Sequence, residues 1–209
     1  MENKLHYTHL SDNERENPIA FIVDFCTYEC DLNEFRQQIL DLIKSACSNQ
    51  KCGNSDNYFF NYRQLLKFLE ISHILLSQDE TFSMYQSESL RNLDQIAFKK
   101  SFNNIRSSCL RLLSTKELSN TNVFFEDFFN HKNLNEWRLT FSQLVEYAYR
   151  ETTIDEVMEE GSEMVIIQEY TEKLIETVYL IYYVNQTIDV IDSIKAVDTF
   201  ETSINHLKY

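Results

Sequence analysis

Glycine and proline are nearly absent from this chain, and their scarcity limits the possible folds more than any other feature. The 209 residues include two glycines and one proline, whereas average usage would give roughly 25 of the two together. Glycine-rich phosphate loops and nucleophile elbows need glycine where the backbone takes a positive φ or approaches a ligand closely. All-β folds turn often on the same residues. The composition therefore argues against these classes and favours long helices.

Apolar periodicity and capping residues predict about seven or eight helices and no strand. Asn17 and Pro18 are suited to the N-cap and first position of a helix, and Gly161 is suited to ending one. The predicted helices cover approximately residues 18–29, 31–47, 58–76, 88–113, 133–148 and 153–160, then a segment from Ser162 and a separate segment 187–206, with a further helical turn or two at residues 123–129. The fold class expected from this pattern is all-α.

The predicted helices belong to one bundle-like domain over residues 18–209, preceded by a polar segment, residues 1–17. A weak boundary near residues 114–122 separates two halves of similar size. No motif recurs at a fixed period, so we expect no internal repeat.

Hydropathy and cysteine usage indicate a cytoplasmic protein that does not enter a membrane. Residues 1–17 lack the apolar stretch of a signal peptide, and the apolar run Val178–Val184 is much shorter than the ~20 residues that span a bilayer. The five cysteines then read as reduced thiols. Four of them could form a thiolate zinc site, but their spacing is unlike that of zinc knuckles, so we interpret them as small buried side chains.

One pair of residues could bind a metal. Helix bundles build di-metal centres from two Glu-x-x-His motifs and two further glutamates, and this chain contains one such motif, Glu70 and His73. His73 also lies on an apolar stripe, where a histidine is commonly a core residue. A metal protein or enzyme that uses Glu70 and His73 is one alternative, although no catalytic motif is present and we expect no cofactor.

Positive charge is concentrated in one predicted helix. Residues 91–116 contain six cations and one acid, although the whole chain has a formal charge of −14. The helix could pair with the acidic C-terminal third, dock an acidic protein or bind nucleic acid locally. The net charge argues against nucleic acid, which stays a second alternative. The candidate interaction face consists of Arg91, Lys99, Lys100, Arg106 and Arg111.

Three tyrosines extend an apolar helix stripe late in the chain. Tyr179, Tyr182 and Tyr183 flank Val178 and Ile181, so that more than half of the helix circumference is apolar. A helix of this kind lies in the centre of a bundle or in a subunit interface. The sequence therefore predicts a non-catalytic acidic protein that acts through contacts with a protein partner or with itself, including a homodimer through these tyrosines.

Overall fold

The chain forms a single all-α, bundle-like domain in its computed structural model, which describes residues 7–83, 110–154 and 161–206, with side chains of the last range described over 163–186. The predicted fold class is confirmed: these ranges hold eight α-helices and no strand. The helices are α1 (Asp12–Glu16), α2 (Pro18–Asp24), α3 (Leu32–Ala46), α4 (Tyr58–Ser77), α5 (Thr115–Ser119), α6 (Thr121–His131), α7 (Leu134–Tyr149) and α8 (Gly161–His206). A π-helical turn, Phe25–Glu29, follows α2, and a 3₁₀ turn, Ser55–Asn57, precedes α4.

Side-chain caps explain where the central helices begin. The Asp31 carboxylate accepts hydrogen bonds from the N–H groups of Asn33 and Glu34 at the start of α3, at 2.8 and 3.0 Å. Asn133 and Glu136 form a reciprocal capping box at the start of α7. Such caps satisfy N–H groups that have no partner within the helix. These two predicted helix starts are confirmed.

Several predicted boundaries are wrong. The segments from Ser162 and from Thr187 form one continuous helix, α8, because no glycine or proline interrupts residues 162–206. Gly161 belongs to α8, and most of the helix predicted before it, residues 153–160, lies outside the described residues. Short capped helices, α1 and α5, lie in the polar segment 1–17 and at the weak boundary near residues 114–122, where no helix was predicted.

The core lies where α3 and α7 pack against each other, with α4 against α7 and α8 against α3. Aromatic rings fill much of it: Phe128 and Trp137 stack with ring centroids 4.3 Å apart, and Phe25 meets Phe68 edge-on at 5.0 Å. Offset and edge-on contacts of this kind contribute beyond the burial of apolar area.

The described helices occur in the same order twice, in what we call the first unit (the described residues of 7–83) and the second unit (the described residues of 110–186). Each contains a short capped helix, a second helix, a central helix and a long helix, in that order. Contacts between the units occur in matched pairs: α3 packs on α8 as α7 packs on α4, and α2 packs on α8 as α6 packs on α4. This reciprocity is that of a twofold arrangement.

The sequence contains the matching repeat, so the expectation of no internal repeat is wrong. Leu-Asn-Glu-Phe-Arg opens α3 at residues 32–36, and Leu-Asn-Glu-Trp-Arg opens α7 at residues 134–138. Five residues separate Phe25 from Asp31, whereas four separate the equivalent Phe128 from Asn133. The π-helical turn accommodates the extra residue of the first unit. Equivalent residues lie 103 positions apart before this insertion (Ser11 and Ser114), 102 after it (Leu32 and Leu134) and 106 in the long helices (Glu70 and Glu176), so no single period runs through the repeat.

Candidate functional site

Glu70, in the middle of α4, is fully buried and bound by three donors. The backbone N–H of Thr8 donates to Oε1 at 3.2 Å, and that of His9 donates to Oε2 at 3.0 Å. Arg138, at the start of α7, places Nη2 2.5 Å from Oε1. Glu70 therefore joins the segment before α1 to a helix of the second unit. We call this set of contacts the Glu70 clamp.

Glu176, in α8, occupies the equivalent position in the second unit. It is fully buried and accepts hydrogen bonds from three successive backbone N–H groups, those of residues 111–113, at 3.0, 2.9 and 3.2 Å. Arg36, at the start of α3, donates from Nη2 to Oε1 at 2.5 Å. Glu172 Oε2 lies 3.9 Å from Nε of the same arginine. We call this set the Glu176 clamp.

The two clamps exchange their arginines between the units. Each glutamate accepts N–H groups from its own unit, just before the short capped helix, and an arginine from the other unit. A lysine one turn earlier on each long helix reaches the capping-box glutamate of the same short helix. These ion pairs are Lys67 with Glu14 at 2.5 Å and Lys173 with Glu117 at 3.4 Å.

Burial and hydrogen bonding change the pKa values of these carboxyl groups in opposite directions. Burial raises the pKa of Glu176 above its ordinary value, although the N–H of Leu112 and the Arg36 guanidinium oppose the change. Burial by itself also raises the pKa values of Glu14 and Glu117. Their hydrogen bonds from serine and lysine outweigh it, so that both pKa values are lowered.

The structure places Glu70 and His73 one turn apart on α4, each with partners in the protein. The hydroxyl of Tyr7 lies 3.0 Å from Nδ1 of His73, and Phe129 meets the imidazole edge-on. Burial, with a contribution from Arg138, lowers the pKa of His73. No group of three or more His, Cys, Asp or Glu suited to a metal occurs in the described part of the chain. Metal binding by this pair stays a prediction.

Most of the predicted basic face lies outside the described residues: Arg91, Lys99, Lys100 and Arg106. Arg111 is described and has an exposed side chain. Its backbone N–H belongs to the Glu176 clamp.

The three predicted interface tyrosines differ in exposure. Tyr179 is 2% exposed, and its hydroxyl donates to the backbone carbonyl of Cys30 at 2.5 Å. It therefore packs inside the molecule, and a part for Tyr179 in a subunit interface stays a prediction. Tyr182 and Tyr183 are half-buried against the core, and their part in a subunit interface stays a prediction.

The described cysteines are free thiols. Burial raises the pKa of both Cys26 and Cys30 to about 12, so neither is held as the reactive thiolate.

Exposed apolar side chains occur at equivalent places in the two units, which the sequence reasoning missed. Phe59 and Phe60, in the first turn of α4, are 57% and 40% exposed. Val165 and Ile166, early in α8, are 69% and 40% exposed. In α4 the signal available from the sequence was Phe60, which lies off the helix face that carries Tyr62, Leu66 and Leu69.

No family model, curated protein or solved structure matches the chain. Within the described residues, no helix combines the length and the apolar character that crossing a membrane requires.

Proposed function

We propose that this protein is a non-catalytic, cytoplasmic binding protein that acts through protein–protein contacts. The observation that carries the proposal is the pair of exposed apolar sites, Phe59 with Phe60 and Val165 with Ile166. Exposed apolar side chains lose contact with water when a partner covers them, and such contacts drive protein association.

The chemistry of the buried charges supports the same proposal. Glu70 and Glu176 are bound by backbone N–H groups and arginines that fasten one unit to the other. Burial raises the pKa of the Cys26 thiol, which makes it a weaker nucleophile at neutral pH. Glu70 and Glu176 lie on the helices that carry the exposed apolar sites, so the two clamps join those helices to the other unit.

Affinity capture from native lysate tests this function. The double substitution Phe59→Ser with Phe60→Ser removes one apolar site, and we expect it to abolish enrichment of the partners that the unsubstituted chain captures. Leu139→Ser is the matched control, because Leu139 is 60% exposed but lies on α7 and belongs to neither apolar pair. It should leave enrichment unchanged.

Two results would contradict the proposal. One is the absence of any protein, a second copy of this chain included, enriched above the level of an unrelated bait. The other is enrichment that is insensitive to substitution at both apolar sites, Phe59 with Phe60 and Val165 with Ile166, in folded variants.

A further inference from the structure

The two exposed apolar sites belong to matching helix surfaces. Around each site the order of burial along the helix is the same: a buried residue, two exposed apolar residues and a second buried residue. Tyr58 and Asn61 are the buried residues in α4, and Met164 and Ile167 are those in α8. The two surfaces therefore point outward at equivalent places in the two units.

A charged residue follows each apolar pair on the same helix face, and the two charges have opposite sign. Arg63 is exposed and lies one turn after Phe59 and Phe60. Positions three and four apart are neighbours on a helix surface. We call Phe59, Phe60 and Arg63 the apolar-basic surface. The ring of Phe59 also lies 6.2 Å from that of Tyr62, which extends the apolar part.

The equivalent residue in the second unit is Glu169, which lies one turn after Val165 and Ile166. Its side chain is 58% exposed, and Oε1 lies 3.4 Å from Nζ of Lys173 on the same helix. Val165, Ile166 and Glu169 form the apolar-acidic surface. Such an exposed pair along one helix contributes little, so the Glu169 carboxylate keeps its capacity to face a cation on another molecule.

We propose that the partner of these surfaces is a second copy of this chain, with the apolar-basic surface of one copy packed against the apolar-acidic surface of the other. This inference rests on the proposed function and names its partner. Pairing like surfaces would bring Arg63 against Arg63 or Glu169 against Glu169, which repel. Pairing unlike surfaces brings Arg63 against Glu169 and covers Phe59 and Val165 together.

In the proposed complex both contacts form in one dimer. The long helices α4 and α8 pack on each other, and every copy carries both surfaces. In a twofold dimer the apolar-basic surface of each copy therefore packs against the apolar-acidic surface of the other. Both contacts then form in the same dimer, and no surface is left for a third copy. The apolar side chains supply the affinity, and the charges select the pairing.

Sedimentation velocity of the full-length chain over a wide concentration range tests this pairing. We expect a concentration-dependent dimer for the unsubstituted chain. Arg63→Glu and Glu169→Arg should each weaken it by about tenfold or more, because each places like charges face to face. The double variant R63E/E169R should restore the dimer, since the charges are exchanged but remain opposite.

A mixture of the two single variants gives a sharper result. R63E carries acidic charge on both surfaces and E169R carries basic charge on both, so each alone should be largely monomeric. Mixed in equal amounts, they should form a heterodimer with both contacts restored.

All these positions are exposed, and circular dichroism checks that each variant is folded. Lys116→Glu with Glu126→Lys, which changes exposed charges on α5 and α6, is the control and should leave the dimer intact.

A strictly monomeric unsubstituted chain overturns this inference alone, because capture of a different protein through Phe59 and Phe60 would still support the proposed function. A dimer that forms equally well in R63E and E169R, or single variants that fail to associate when mixed, also overturns the pairing.

Discussion

Single residues show how this chain uses charge inside its core. A buried ion pair contributes little net stability when it is intact, because both groups lose their hydration, but removal of one partner leaves an uncompensated charge. Arg138 and Glu70 form such a pair, with the Glu70 carboxylate completely buried. The pair is therefore sensitive to truncation even though it is not itself a large source of stability.

Arg138→Ala should destabilise the fold by about 3–5 kcal/mol, because it leaves the Glu70 charge buried without its cation. Urea unfolding followed by circular dichroism measures the change. Arg150→Ala removes an arginine from the half-exposed ion pair with Glu146 and should cost no more than about 1 kcal/mol. Equal effects of the two substitutions would contradict the role assigned to the Glu70 clamp.

The contacts of Glu70 could not be predicted from the sequence, although its pairing with His73 could. Their spacing identified a pair on one helix face, and the structure confirms that they lie one turn apart on α4. The donors to Glu70 lie far away along the chain, in Arg138 and in the backbone of Thr8 and His9. Such long-range contacts leave no local pattern.

Helices are the scale at which the sequence was most informative, because capping and propensity act within a few residues. The starts of α3 and α7 follow directly from Asp31 and Asn133. Short helices are harder to predict: α1 and α5 each contain five residues. Isolated helices of this length are not stable in water. Here, capping boxes and lysines from the long helices, which are distant along the chain, stabilise them.

The caps of these short helices give the fold a defined response to acid. The pKa of Glu117 is lowered from its ordinary value of 4.5, so its stabilising effect is present above that pH and is lost as the pH falls through the folded-state pKa. Glu117→Gln should therefore lower stability at neutral pH and reduce the further loss between about pH 5 and pH 3. Urea unfolding at several pH values measures both. An acid response identical to that of the unsubstituted chain would contradict the assignment.

A separate prediction concerns the π-helical turn after α2. Deletion of the exposed Thr27 leaves four residues between Phe25 and Asp31, the number that the second unit has. The variant should fold. Its free energy of unfolding should fall by about 1 kcal/mol, because the hydrogen bond between the Tyr179 hydroxyl and the Cys30 carbonyl is lost. Thermal unfolding measures the change.

Deletion of Asn130, also exposed, is the matched control for Thr27. It makes the segment between Phe128 and Asn133 shorter than the equivalent segment is in either unit. This deletion should therefore destabilise the protein far more. Similar losses from the two deletions would mean that the π-helical turn does not hold an inserted residue.

At the scale of the whole molecule, the two units depend on each other. Each clamp takes its glutamate from one unit and its arginine from the other, and α3 packs on α7 across the same boundary. The connection between the units along the chain runs through residues 84–109. Noncovalent contacts should therefore hold the units together once that connection is cut.

A protease site introduced within residues 84–109 tests this dependence in the full-length chain. After cleavage the two fragments should elute together in size-exclusion chromatography. The same cleavage in a variant with both Arg36→Ala and Arg138→Ala should release separate fragments, because both clamps are then broken. Separation of the cleaved unsubstituted protein, with its arginines intact, would contradict the interdependence of the units.

By itself, the sequence determined the helical class and the beginnings of the central helices, because these depend on backbone propensity and on contacts within a turn. Only the tertiary structure decided that Glu70 and Glu176 form reciprocal clamps, that Tyr179 is buried, and that the apolar pairs beginning at Phe59 and Val165 are exposed. The physical reason is that burial and ion pairing are properties of residues that meet in space. An inserted residue in the first unit changed the spacing along the chain, but the π-helical turn preserved the spatial equivalence.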